Sequence, residues 1–152
     1  MSLGGLAERR GCDNRSVSDT ITLWRPVGPK ELALIEAADW RAFPPRLPGQ
    51  PIFYPVLNEG YATQIARDWN ATSAETGYRG YVTCFQVRRD FLAAYEVHVV
   101  GGSEHREYWV PAEELLAFNA AIVGQIEVVR AFRGAAGSAP IEVDPSSAVE
   151  TP

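Results

Sequence analysis

A chain of 152 residues, 46% of them hydrophobic and 22% charged, is long enough for one buried core and has an ordinary globular composition. The net charge of -5, with arginines scattered rather than grouped, argues against a dominant nucleic-acid or membrane electrostatic footprint. Two cysteines, Cys12 and Cys84, form no CxxC pair, so neither a disulfide framework nor a zinc site is expected.

Residues 1–19 are rich in Gly, Ser, Arg and Asp and show no periodicity, so they read as a disordered leader. They lack the apolar run of a signal peptide, and no later segment is apolar enough to span a bilayer, so a cytoplasmic protein is expected. Residues 134–152, GAAGSAPIEVDPSSAVETP, read as a disordered tail because they are small, acidic and proline-containing. The domain is therefore expected within residues 20–133.

Thr20 to Arg25 alternates and carries β-branched residues, which predicts a strand. Gly28-Pro29 then opens a helix through Ala38, with Leu32, Ile35 and Ala38 on one face. The stretch FPPRLPGQP, residues 43–51, holds too much proline for a regular element. Its prolines at 45, 48 and 51 fit a rigid loop better than a polyproline ligand. Ile52-Phe53-Tyr54 is a short extended piece.

Asn58 is a suitable N-cap for a helix to about Trp69, whose stripe Tyr61, Ala62, Ile65, Ala66 and Trp69 faces the core. Gly80 to Val87 is the strongest strand, with Tyr81, Thr83, Phe85 and Val87 on one face and Val82 and Cys84 on the other. Tyr95 to Val100 and Glu107 to Val110 are further strands. Ala112 to Asn119 is a short helix, and Ile122 to Phe132 a long closing strand. This order predicts an α+β fold, strand-rich, with two early helices and a short late one.

No P-loop, GxGxxG, GxSxG or HExxH occurs. Gly101-Gly102 reads as a turn. His98 and His105 read as structural or solvent-facing, and their spacing to carboxylates matches no strong ligand motif, so no metal is expected. Glu113 and Glu114 favour the first turn of the following helix.

Three separated stretches remain: TLWRPVG around Arg25, PIFYPVLNEGYATQIARDW with Tyr54 and Tyr61, and EYWVP opening on Glu107. Together they resemble the ADP-ribosyltransferase-like fold family, and residues 20–133 look like short bacterial proteins labelled "ADP-ribosylation/crystallin J1". The adjacent-aspartate signatures of metal-dependent ADP-ribosylglycohydrolases are not found, so the transferase part of that label is the one followed. The aromatic subgroup fits better than the arginine type, with Arg25 where a histidine is commoner.

The resemblance implies an NAD-dependent enzyme that cleaves the nicotinamide–ribose bond and passes ADP-ribose to an unknown acceptor, or to water. NAD is its substrate, and no metal is implied. It implies Glu107 as the catalytic acid, with Glu104 as the fallback. Arg25 is implied at the pyrophosphate, Tyr54 at the nicotinamide and Tyr61 as a further cofactor-binding residue, and Arg25, Tyr54 and Glu107 are expected to line one cleft. The alternative is a non-catalytic module on the same fold that binds a nucleotide or a protein.

Overall fold

In the computed structural model, which describes residues 19–102 and 105–146, the core is an antiparallel sheet clad on both faces. Strand β1 (Thr20–Val27) leads into helix α1 (Pro29–Ala37), begun by Pro29 and carrying Leu32 and Ile35 inward. Ala38 is exposed, because the helix ends at Ala37 and the chain turns through Asp39 and Trp40, both at φ 61°. The proline loop leads to β2 (Ile52–Phe53). Helix α2 (Glu59–Ile65) follows, capped by the Asn58 side chain, which accepts from the Tyr61 amide at 2.9 Å.

The sequence stripe on α2 fails at its end: Trp69 is 71% exposed. From Ala66 to Asn70 the helix widens to a π turn, with Ala71 N–H donating to Ala66 O at 3.0 Å. The wider turn advances fewer degrees per residue, so Trp69 swings off the face that Ala62 and Ala66 keep. The Ala66 carbonyl thereby lies against Gly80, where an added Cβ would come within 2.2 Å of it.

Strand β3 (Arg79–Arg88) holds the centre, with the alternation expected of it, followed by a helical turn α3 (Arg89–Leu92) that the sequence did not suggest. Then come β4 (Val97–Val99), β5 (Arg106–Tyr108), β6 (Val110–Pro111), a 3-10 turn at Ala112–Glu114, and α4 (Leu115–Ala120). Trp109 breaks the expected Glu107–Val110 strand in two. β7 (Ile122–Ala135) and β8 (Ser138–Val143) close the fold.

The main sheet runs β1-β3-β7-β8, all antiparallel. Beyond β1 it continues through single bridges, Trp24 to Val56 and Val56 to Glu107, into β5 and β4. Backbone hydrogen bonds fix that seam: Trp24 and Val56 exchange N–H and C=O at 2.8–2.9 Å, and Tyr108 N–H donates to Pro55 O at 2.9 Å.

One face carries Leu23, Val27, Tyr81 and Phe85, covered by α1, α4, Phe43, Phe53 and Phe118. The other carries Trp24, Val82, Cys84 and Phe132, covered by α2 through Ala62 and Ala66. The chain is a strand-rich α+β domain, and no helix among its described residues is long and apolar enough to cross a membrane.

Two expectations are corrected here. Residues 138–143, taken as disordered tail, form the edge strand β8, because the Gly137 turn (φ 76°) returns the chain along β7. Pro140 fits there, since an edge strand has no outer ladder to break. Cys84, for which no disulfide framework was expected, is disulfide-bonded. The expected leader, apart from Asp19, lies outside the described residues, as do Glu104 and residues 147–152.

Candidate functional site

Directly paired residues of antiparallel strands project to the same face. Trp24, Val56, Glu107 and His98 are paired in that order across the seam and β4, so their side chains form a row on the α2 face. Along the chain, His105, Glu107 and Trp109 alternate onto the same face. Tyr61 reaches it from the first turn of α2, placed there by the Asn58 cap.

Glu107 is the centre of this row and is only 7% exposed. Tyr61 Oη donates to its Oε1 at 3.1 Å and Trp109 Nε1 donates to its Oε2 at 2.7 Å. Each donor ring carries a histidine: Tyr61 stacks with His105 at 4.3 Å between centroids, and Trp109 with His98 at 3.9 Å. Tyr54, 39% exposed, stands edge-on to Trp109 at 6.3 Å. A buried carboxylate is thus walled by five rings. Burial, then the charge and hydrogen bond of Glu107, raises the Tyr61 phenol above its ordinary pKa. Tyr61 is therefore a neutral donor, unsuited to act as a base at neutral pH. Trp24, also on this face, has an indole N–H with no partner among the described residues, and nothing in the structure explains it.

Arg25 does not join this group. Alternation places it with Leu23 and Val27 on the α1 face, paired with Thr83. Its Nε and Nη2 donate to the two oxygens of Glu31 at 2.8 and 3.1 Å, a bidentate pair. Nη1 donates to Tyr54 O at 3.4 Å, and the guanidinium lies 4.6 Å from the Phe53 ring centroid. The expectation that Arg25, Tyr54 and Glu107 share one cleft is therefore corrected: Tyr54, Tyr61 and Glu107 converge, while Arg25 faces the opposite side of the sheet. The physical reason is parity. Glu107 stands in line with Trp24, and Arg25 is one residue further along β1, so the period of two sends it the other way.

Sequence reasoning read His98 and His105 as structural or solvent-facing and gave Trp109 no role. The signal was present in HREYW, where His, Glu and Trp occupy every second position. The partner that makes the pattern meaningful, Tyr61, comes from a helix 46 residues earlier in the chain. Glu113 is exposed, as expected of a residue in the first turn, whereas Glu114 accepts a short hydrogen bond from Tyr95 Oη.

A carboxylate in this setting holds negative charge where little water reaches it, and beside it are ring faces on which a planar group could stack. Each of its oxygens retains a lone pair beyond the bonds described. Comparison with known protein families, with curated proteins and with solved structures finds no match.

Proposed function

We propose that the chain is an NAD-using enzyme of the ADP-ribosyltransferase type, cleaving the nicotinamide–ribose bond and passing ADP-ribose to an acceptor or to water. The observation that carries this reading is the buried Glu107 carboxylate, held by Tyr61 and Trp109 inside a wall of aromatic rings. Departure of nicotinamide leaves positive charge on the ribose, as in glycoside hydrolysis. A fixed carboxylate stabilises that charge as it grows, and its ordering by two donors is completed before reaction. The partly exposed Tyr54 ring gives the nicotinamide a stacking face beside it. The α+β architecture, with Glu107 on a strand late in the chain, is compatible with an ADP-ribosyltransferase-like fold. In this reading Arg25 braces α1 through Glu31 and holds the Tyr54 carbonyl, rather than gripping phosphate.

A second reading, a non-catalytic module that binds a nucleotide or protein, is favoured by one observation: both Glu107 oxygens already accept hydrogen bonds within the fold. Incubation of the purified chain with NAD, with released nicotinamide measured alongside NAD binding, separates the two. Release supports the enzyme; binding without release supports the module. Absence of both refutes the NAD reading.

A further inference from the structure

We propose that Arg46, with the Glu31-paired Arg25 adding its charge nearby, forms a half-buried site for a phosphate-type oxyanion on the α1 face of the sheet. The observations lie in the proline loop. Arg46 sits between Pro45 and Pro48, and its Nε donates to Ile52 O at 3.1 Å. Its guanidinium carbon lies 5.9 Å from the centroid of the Phe53 ring, the same ring that Arg25 approaches to 4.6 Å. Two guanidiniums thus share one aromatic ring that is itself fully buried.

The charges do not balance. Glu31 is the carboxylate of this cluster, and Arg25 takes both of its oxygens. Among the described residues, the terminal nitrogens of Arg46 have no hydrogen-bond or ion-pair partner. Burial, and after it the Arg25 guanidinium, pushes Arg46 below the ordinary arginine pKa, while Glu31 and Tyr54 act in the opposite direction. A cation that has lost water and stands beside a like charge is stabilised by an incoming anion more than a solvated one would be.

The geometry selects the kind of anion. With Nε engaged by a backbone carbonyl, the two terminal amino groups of Arg46 present paired N–H donors in a plane, suited to two oxygens of one phosphate. The prolines on either side restrict the loop, so less conformational freedom is lost on binding. Tyr54 connects this cluster to the Glu107 centre: its carbonyl accepts from Arg25 and its ring lies edge-on to Trp109. The two clusters face opposite sides of the sheet, so the oxyanion site uses neither Glu107 nor Tyr61 and stands apart from the cleavage reading.

The test is calorimetric titration of the full chain with inorganic phosphate, pyrophosphate and acetate. Saturable binding of phosphate or pyrophosphate, weakening with added salt, is expected. Arg46→Gln should weaken it by about tenfold or more, the weight of one charge-assisted pair. Arg46→Lys keeps the charge without the fork and should bind between the two. Glu107→Gln should bind phosphate as the wild type does. A wild-type chain with no saturable phosphate or pyrophosphate binding overturns the proposal, as does an Arg46→Gln variant with unchanged affinity. Acetate binding as tightly as phosphate overturns the phosphate assignment. A folded Arg46→Lys variant covers the case in which loss of the Ile52 contact unfolds Arg46→Gln.

Discussion

Replacing Glu107 with Gln removes one charge from a site that is 7% exposed and leaves nearly the same shape. The amide can keep both contacts. Its oxygen must face Trp109 Nε1, which only donates, while its NH2 faces Tyr61 Oη, which can turn from donor to acceptor. What is lost is charge assistance, from about 1.5–3 kcal/mol per bond to about 0.5–1.5 kcal/mol. After allowance for the desolvation that a buried charge no longer requires, Glu107→Gln should cost about 1–2 kcal/mol of stability. For a domain of this size that lowers the melting midpoint by roughly 2–8 °C. Glu107→Ala abandons both donors and should cost more, about 2–4 kcal/mol. Turnover should separate from stability: Glu107→Gln should lower nicotinamide release about a hundredfold, the scale of one lost electrostatic stabiliser, while NAD still binds. Calorimetry and a nicotinamide-release assay on the same preparations check both halves. A Glu107→Gln enzyme with wild-type turnover would refute the catalytic role, and one as unstable as Glu107→Ala would refute the proposed reversal of the Tyr61 hydroxyl.

Three further outcomes follow from the packing and the charges. Arg25→Ala should cost about 3 kcal/mol, since it leaves Glu31, 21% exposed, without its bidentate partner; a denaturant melt checks this, and a change below 1 kcal/mol would mean the pair is dispensable. Gly80→Ala should cost about 1–3 kcal/mol or more, because its Cβ would meet the Ala66 carbonyl at 2.2 Å; unchanged stability would show that the π turn of α2 can move away. Burial, then its bond to Glu114, pushes the Tyr95 phenol up to about 12, and burial raises Tyr61 as well. Because these folded values lie above the unfolded tyrosine value of about 10, their stabilisation is complete below pH about 10 and is lost as pH rises through the folded values. Melting midpoints should fall across pH 10 to 12, less steeply for Tyr95→Phe, and parallel curves would exclude Tyr95 as the cause.

The sequence by itself determined what depends on neighbours a few residues away. The alternation of Tyr81, Thr83, Phe85 and Val87 defined β3 and its two faces, because the period of two holds wherever a strand is half-buried on each side. Pro29 and Asn58 marked the starts of α1 and α2, because each acts on the first turn of its own helix. Glu107, Tyr61 and Tyr54 were picked out only through the resemblance of short stretches to a family, since residue type alone favoured ordinary roles for each. Tertiary structure alone decided the rest. The π turn at Ala66 exists where the Ala66 carbonyl meets Gly80, so the exposure of Trp69 could not be read from the helical stripe. The short strand β8 is mostly exposed and is held as a strand by the hydrogen-bond partners that β7 supplies, so the small, acidic, proline-containing composition of the tail suggested disorder. Whether Arg25 or Trp24 shares a face with Glu107 depends on the register of the Val56 bridge, and one residue of slip would reverse it. That register is set by backbone hydrogen bonds between segments more than 30 residues apart, which no local pattern encodes.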